Sequence, residues 1–156
     1  MKVEKDALNA IETIHELVRQ VERDLGRPAT VGIGTPGAIS PATGLIKNAN
    51  SVWLNGKPLK EDLERLMERP LRFANDADCF ALSEAIDGAG RDADIVFGVI
   101  LGTGVGGGIV HGRRLLSGPN AIAGEWGHNA LPWPLDSERP GPDCYCGMTG
   151  CIETFV

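Results

Sequence analysis

The sequence predicts a mixed α/β fold, because apolar residues recur at helical spacing in some segments and as short strand-like runs in others. An amphipathic helix is predicted over residues 6–25, and Gly26 and Pro28 supply its stop signal. The most apolar run, residues 95–101, predicts a strand. The stripe of the first helix consists of Leu8, Ile11, Ile14, Leu17, Val18, Val21 and Leu25.

The remaining elements follow in chain order. Strands are predicted over residues 31–33 and 71–74, a hairpin turn at 41–44, and helices over about 59–68 and 77–87. Residues 102–104 form a turn between strand 95–101 and a second strand at 106–110. Residues 113–143 are rich in glycine and proline and are predicted to be mainly loop, and a helix is expected to open near Cys151.

Composition excludes several classes of function. The chain has 156 residues, 42% of them hydrophobic, and a net charge of −6, with no long basic run that would favour nucleic acid. No apolar stretch is long enough to span a bilayer, and the first 25 residues are too charged for a secretion signal. We therefore expect a cytoplasmic protein without nucleic-acid or membrane partners, in which clustered cysteines are more often metal ligands than disulfides.

Three of the four cysteines lie within eight residues, at the spacing C-x-C-x4-C of Cys144, Cys146 and Cys151. A structural zinc ion takes four thiolate or imidazole ligands, so one more is needed. We select His128, because glycine precedes it and lets the backbone approach closely, whereas Cys79 falls in an apolar stretch typical of a core. The other interpretations are a Cys144–Cys151 disulfide and reduced structural thiols. The other histidines considered are His15 and His111.

The glycine-rich segment from Gly102 matches a dinucleotide-binding spacing, but that motif requires a helix after the glycines and here a strand is predicted. The backbone N–H groups of the turn, with the Thr103 hydroxyl, are suited to an anion. An ordinary glycine-rich hairpin explains the pattern equally well. Asp76 follows a predicted strand, where a general base is often placed, although capping of the next helix is the simpler explanation.

Four stretches together resemble the ROK family of sugar kinases and repressors. They are residues 32–37 (GIGTPG), 75–77 (NDA), 101–106 (LGTGVG) and 124–128 (GEWGH) leading to 144–153 (CYCGMTGCIE). Residues 47–55 and 125–133 look most like the bacterial fructokinases of that family. The resemblance implies an actin-like ATPase fold of ribonuclease H type, with the sugar in a cleft and Mg-ATP between two lobes.

The resemblance also implies a role for each matched residue. Asp76 would take the proton from the 6-hydroxyl of a hexose. The expected hexose is fructose, with mannose and glucose as alternatives. His128 would bind Zn²⁺ through one ring nitrogen and the sugar through the other. Sugar contacts are expected from Gly37, Asn75, Glu125, His128 and Glu153, ATP phosphate contacts from Gly102, Thr103 and Gly104, and zinc ligation from His128, Cys144, Cys146 and Cys151.

On the same basis, residues 1–75 are expected to belong to the N-terminal lobe and residues 76–156 to open the C-terminal lobe. The family begins with a strand carrying an Asp-x-Gly-Gly-Thr phosphate motif and continues into an adenosine-binding lobe. Neither is seen here, so we expect a fragment of a longer protein, homodimeric in its full-length form. The alternatives are a piece of a sugar-responsive ROK repressor and a zinc-stabilised sugar-binding module without turnover.

Overall fold

The structure is a computed structural model that describes residues 2–156, with side chains from Asn9 onward, so Leu8 of the predicted stripe lies outside the described side chains. The fold is mixed α/β, as the sequence predicts, and divides into two compact units, Met1–Asn75 and Asp76–Val156. Within the described residues no helix is long and apolar enough to cross a membrane. The elements are α1 (Lys2–Leu25), β1 (Gly32–Thr35), β2 (Ala38–Ile39), β3 (Ile46–Lys47), α2 (Leu59–Met67), β4 (Arg72–Asn75), α3 (Asp76–Ile86), β5 (Ile95–Leu101), β6 (Val105–His111) and β7 (Arg114–Leu115).

In the first unit, β1 pairs with β4 in parallel, and the short β2 and β3 form an antiparallel hairpin across the predicted turn. A hydrophobic core lies beside these strands, because α1 and α2 each contribute apolar side chains at helical spacing to it. Its fully buried members include Leu63 of α2 and Ile46 of β3. The core is made of Ile11, Ile46, Ala49, Leu54, Leu59, Leu63 and Leu71.

The stripe of α1 is buried only in part. Ile11 is in the core and Ile14 packs against it, but Leu17 is 63% exposed, and Val21 and Leu25 are also exposed. The amphipathic helix is therefore present as predicted, but the C-terminal half of its apolar stripe is exposed within this unit. Periodicity identifies side chains that share a helix face, but it does not say how far along the helix that face is covered.

In the second unit, β5, β6 and β7 form an antiparallel sheet with β6 in the middle. Helix α3 packs on one face of this sheet through Ala77, Ala81 and Ala85, which recur every fourth residue and are all buried. The approach is close, since a Cβ atom on Gly98 or Gly108 would lie within about 3 Å of Ala81. Small residues on both surfaces therefore allow helix and sheet to meet nearly backbone to backbone.

This packing corrects the placement of Cys79. The sequence predicted a core position because Cys79 lies among apolar neighbours, but the residue is exposed. The alanine face of α3 is the one turned to the sheet, and Cys79 lies two residues from Ala77 and Ala81, on the side away from it.

The glycine-rich segment is a strand, turn and strand, as predicted: Leu101 pairs with Val105 across the turn at residues 102–104. The dinucleotide-binding motif is therefore excluded. Beyond β7 the chain is mostly irregular, and the predicted last helix is the short 3-10 turn Ile152–Phe155. This irregular segment carries most of the predicted site residues of the second unit.

Candidate functional site

The four side chains predicted to ligate zinc lie together in the second unit. One potential ligand atom from each of His128, Cys144, Cys146 and Cys151 falls within 4.8 Å of all the others. The Cys144 Sγ atom is 3.4 Å from His128 Nδ1, and the Sγ atoms of Cys146 and Cys151 are 3.7 Å apart. All cysteines are free thiols, so the alternative Cys144–Cys151 disulfide is not formed.

These separations fit a tetrahedral ion. With zinc–sulfur and zinc–nitrogen distances of about 2.3 and 2.0 Å, two ligands at the tetrahedral angle lie about 3.8 Å apart for two sulfurs and about 3.5 Å for sulfur and nitrogen. The measured distances of 3.7 and 3.4 Å match both values closely. With four donors of this type, the cluster has the ligand count and the spacing of a closed structural site.

A tight backbone knuckle brings the ligands together. The N–H of Cys144 donates to the carbonyl of Met148 at 2.8 Å, and the N–H of Gly147 donates to the carbonyl of Cys144 at 2.9 Å. Gly147 has φ +89°, a conformation that glycine adopts without strain. A second segment joins through Ala130, which pairs with Cys151 and so brings the loop of His128 against the knuckle.

The thiols differ in their environments. Burial, reinforced by the neighbouring thiols, raises the pKa of Cys151 to about 12, whereas a hydrogen bond with the backbone of Met148 lowers the pKa of the exposed Cys146. A bound cation would offset the cost of ionising the buried thiol, since thiolates rather than thiols are the ligands. Cys79, His15 and His111 lie outside the cluster, and His111 instead faces Asp94, with Nε2 3.2 Å from Oδ2.

The second ring nitrogen of His128 has a partner that the sequence did not indicate. Its Nε2 atom lies 2.9 Å from the hydroxyl of Tyr145, and the two rings meet edge to face with centroids 5.0 Å apart. Burial, followed by the charges of Glu153, Cys144 and Glu125, raises the pKa of Tyr145 to about 12. The sequence feature that could have indicated this contact is the position of Tyr145 between Cys144 and Cys146, two of the predicted zinc ligands.

Glu125 is the most strongly perturbed carboxylate beside this centre. Burial, together with the negative charges of Asp78, Asp76 and Glu153, raises its pKa to about 7. Burial, with the charge of Asp76, also raises the pKa of Asp78. These carboxylates therefore crowd one region of the second unit. Such a region disfavours further negative charge and offers acceptors to the hydroxyl groups of a neutral ligand.

Asp76 is the first residue of α3 and is exposed. Its Oδ1 atom accepts a hydrogen bond from the N–H of Ala77 at 2.9 Å. The carboxylate therefore interacts with the first turn of the helix, and it stands in the same group of charges as Glu125. The structure is compatible with both roles considered for this residue.

Glu153 links the knuckle to the glycine turn. Its Oε2 atom accepts the N–H of Val105 at 2.8 Å, directly after the turn, and its own N–H donates to the carbonyl of Gly127 at 2.9 Å. Gly102 and Thr103 are exposed at the tip of the hairpin. A Cβ atom on Gly104 would lie 3.1 Å from the Oε2 atom of Glu153. One side chain thus fixes the base of the predicted phosphate turn.

The loop of Glu125 and His128 is held against β6 by its other two members. The indole Nε1–H of Trp126 donates to the carbonyl of Gly106 at 2.9 Å. A Cβ atom on Gly127 would overlap the carbonyl oxygen of Val105, so that position has room only for glycine. These two contacts fix the position of the loop on β6. The fixed backbone in turn orients the side chains of Glu125 and His128.

Two predicted sugar ligands, Gly37 and Asn75, lie in the first unit. The side-chain Nδ2 of Asn75 donates to the carbonyl of Gly37 at 2.8 Å. Gly37 has φ +71°, and a Cβ atom there would overlap the carbonyl of Lys47 and approach Ala49 within 2.9 Å. These two residues are therefore in direct contact and rigidly placed within their unit.

Solved structures share this fold. A ROK family glucokinase from Streptomyces griseus in complex with glucose and AMPPNP matches 94% of this chain and 45% of its own, at 30% identity and a TM-score of 0.73. A ROK family transcriptional regulator, a homologue of the E. coli MLC protein, matches 97% of this chain and 37% of its own, at 27% identity and a TM-score of 0.74. The fold is therefore the actin-like ATPase fold of sugar kinases.

Within that class, the model of the ROK family matches residues 2–156, and the chain belongs to the ROK family. An N-acetyl-D-glucosamine kinase of Yersinia enterocolitica is 42% identical over 150 residues, which cover 94% of this chain and 50% of the kinase. The chain spans about half the length of the curated relatives it matches.

Proposed function

We propose that this chain supplies the sugar-reading part of an ATP-dependent hexose kinase. The observation that carries the proposal is the placement, in one unit, of the Cys3His cluster, the carboxylates of Glu125 and Glu153, and Asp76 at the start of α3. In this interpretation Met1–Asn75 is part of the N-terminal lobe and Asp76–Val156 opens the C-terminal lobe. Because ATP is the phosphoryl donor, we place the activity in the cytoplasm.

Asp76 is proposed as the general base. As the 6-hydroxyl oxygen of the sugar forms its bond to the γ-phosphorus of ATP, the bond to the leaving ADP breaks and the hydroxyl proton passes to the carboxylate. An exposed carboxylate suits this step because it stays accessible to a substrate hydroxyl. The hydrogen bond from the Ala77 N–H orients the side chain without burying it.

Glu125 and Glu153 are proposed to bind the remaining hydroxyls directly, and His128 is proposed to act on the sugar from the Nε2 side of its ring. Carboxylates accept hydrogen bonds from sugar hydroxyls, and the desolvation that raises the pKa of Glu125 makes such bonds stronger than they are in water. Glu153 has one oxygen committed to Val105, so it also sets the distance between the sugar and the glycine turn. For Asn75 and Gly37 the proposal keeps the sugar-binding role that the family resemblance implies.

Zn²⁺ is the metal proposed for the Cys3His cluster. The donor set of three thiols and one imidazole and the two measured separations fit zinc in a closed site, which contributes folding free energy rather than catalysis. Ligation through Nδ1 would leave Nε2 of His128 on the side away from the metal, with a fixed orientation towards the Tyr145 hydroxyl. The substrate-reading side chain is therefore positioned by the thiols.

Gly102, Thr103 and Gly104 are proposed to contact the phosphates of Mg-ATP. The exposed tip of the hairpin presents backbone groups and one hydroxyl, the donors that suit an anion. Magnesium, when bound with ATP, would neutralise charge that develops during transfer. The protein's own contribution at this point is to keep the turn in place through the Val105–Glu153 hydrogen bond.

The identity of the sugar separates two expectations. The motifs at residues 47–55 and 125–133 favour fructose, whereas the relative named above is an N-acetyl-D-glucosamine kinase. Discrimination between such sugars depends on individual contacts in the pocket. We therefore propose a hexose or N-acetylhexosamine substrate phosphorylated at the 6-hydroxyl, and the assay below includes both candidates with mannose and glucose.

A second candidate function is sugar-responsive transcriptional regulation, which the similarity to the regulator homologous to MLC favours. A regulator needs to bind the sugar but has no use for a base. The aspartate at position 76 favours the kinase, because it can act as a base. A sugar-binding module without turnover is the third outcome of the same test.

The test combines sugar binding with phosphoryl transfer. Wild type and Asp76→Asn are compared in a coupled ATP assay with the four sugars and by calorimetric titration, both as this chain and within the longer protein. We expect Asp76→Asn to abolish transfer and to leave sugar affinity within about threefold, with Asp92→Asn, whose side chain is 91% exposed, as the control. Sugar binding without transfer in the longer wild type would support the regulator or the module, and an unchanged rate in Asp76→Asn would exclude the base assignment.

A further inference from the structure

Tyr145 contacts the ring nitrogen of His128 that the family resemblance assigns to the sugar. Its hydroxyl is 2.9 Å from His128 Nε2, within ordinary hydrogen-bond distance, and the rings meet at 87°. The residue lies between Cys144 and Cys146, so the backbone on either side of it is fixed whenever the cluster binds a metal. The contact is therefore built into the knuckle rather than being a chance encounter of mobile side chains.

The direction of this hydrogen bond follows from proton bookkeeping. When Nδ1 of His128 donates its lone pair to a metal, the proton of the neutral imidazole resides on Nε2. Nε2–H is then the donor and the Tyr145 oxygen the acceptor. A phenol has one proton of its own and is protonated at neutral pH, so the Tyr145 O–H is directed to a different acceptor.

The surroundings indicate where that acceptor lies. Glu125 lies three residues before His128 and Glu153 lies two residues after Cys151, so the two carboxylates assigned to the sugar belong to the same segments as the cluster that holds Tyr145. Tyr145 is nevertheless 56% exposed, which leaves its hydroxyl accessible to a ligand. A hydroxyl that is held by His128 and remains open to solvent has the features of a hydrogen-bonding group in a polar pocket.

We propose that Tyr145 is a sugar-binding residue of this site, whose hydroxyl accepts the Nε2–H of His128 and donates its own proton to an oxygen of the bound hexose. The proposal rests on the proposed sugar binding and deepens it. The metal-fixed imidazole then acts on the substrate through the phenol, and Tyr145 adds a donor to a set otherwise dominated by carboxylate acceptors. The opposite arrangement is a gate, in which the sugar displaces Tyr145 and binds His128 directly.

Removal of the hydroxyl distinguishes these arrangements by sign. Tyr145→Phe keeps the ring and deletes one hydrogen bond between uncharged groups. If Tyr145 binds the sugar, the variant should bind sugar about fivefold more weakly and retain the metal. The gate predicts equal or tighter binding. Trp133→Phe is the matched control, because Trp133 is an aromatic side chain of the same segment and is 93% exposed.

The experiment titrates the metal-loaded protein, as this chain and within the longer protein, with N-acetyl-D-glucosamine, fructose, mannose and glucose by calorimetry. Tyr145 is the single tyrosine, so ¹³Cζ-tyrosine labelling gives one NMR signal for the phenol. We expect that signal to shift on adding the tightest-binding sugar and on removing the metal, and the variant to lose affinity with unchanged metal content.

Each outcome decides. Sugar binding by wild type with unchanged or tighter binding by Tyr145→Phe overturns this inference alone. A wild type that binds none of the four sugars in either form overturns both the inference and the proposed function. Weaker binding by Tyr145→Phe with a metal content below that of wild type also overturns it, because the tyrosine would then support the cluster rather than the sugar.

Discussion

The raised pKa of Glu125 predicts a specific dependence of folding stability on pH. A carboxyl whose pKa rises from an ordinary 4.5 to about 7 on folding binds its proton more tightly in the folded state. The folded state is therefore stabilised by this group below about pH 4.5, and that stabilisation is lost as pH rises towards 7. Glu125→Gln, a neutral group of the same shape, should remove this dependence.

The expected size follows from the same values. A rise from 4.5 to about 7 corresponds to about 3.4 kcal/mol at 1.36 kcal/mol per pH unit, and about 2.5 kcal/mol of this falls between pH 5 and pH 8. The carboxyl is only half-buried, and solvent screening reduces the figure to about 1 kcal/mol. The stability advantage of Glu125→Gln over wild type should therefore grow by about 1 kcal/mol between these pH values.

The assay is urea unfolding at pH 5 and pH 8, followed through amide NMR signals of β5 and β6, which belong to the same unit as Glu125. Asp92→Asn is the control for loss of a carboxylate, since its side chain is 91% exposed, and it should show no such change. A ¹³C NMR titration of the Glu125 carboxyl measures the midpoint directly. A midpoint below pH 5, or an advantage that is equal at both pH values, would refute the burial and charge crowding inferred here.

Two further predictions concern the metal cluster and the loop that places it. Cys146→Ser should lower the metal content well below one ion per chain, because one of four ligands is lost. Cys79→Ser, at an exposed position on α3, is the control and should retain the metal. Equal metal content of the two variants, measured by elemental analysis, would contradict the proposed metal site. Gly127→Ala should cost about 1–3 kcal/mol of unfolding free energy, since its Cβ would overlap the Val105 carbonyl. Gly102→Ala, with nothing within 4 Å of the added Cβ, is its control, and equal stability of the two variants would show that the loop can move away from β6.

The sequence was most informative where local chemistry decides the structure. The strand, turn and strand around Gly102 followed from apolar runs on both sides of glycines, and the bounds of β5 were predicted to the residue. The four potential metal ligands were selected from their residue types and spacing, and the structure brings them together. The first inference depends on residues that are neighbours in the sequence, and the second depends on the number of ligands that a zinc ion needs. A single sequence contains both kinds of information.

The sequence was least informative where burial depends on which surfaces meet. Cys79 shares an apolar run with Phe80, yet the alanines of α3 face the sheet, because glycines opposite them permit a closer approach than large side chains would. Leu17 of α1 likewise matches the periodicity of a core residue but is exposed. The contact of Tyr145 was missed because its partner His128 lies seventeen positions away in the sequence, and only the fold shows that the two side chains meet.

The segments of the second unit that carry the motif are coupled through residues 151–153. Cys151 is a potential metal ligand, the N–H of Ile152 donates to the carbonyl of Asn129, and Glu153 bonds the carbonyl of Gly127 and the N–H of Val105. These three residues therefore join the Cys3His cluster to the loop of His128 and to the base of the glycine turn. The bonds are made by adjacent residues of one short segment. A shift of the knuckle therefore displaces both the His128 imidazole and the glycine turn. In the proposed kinase, loss of the structural ion would thus lower turnover as well as stability, through the backbone of a single short turn.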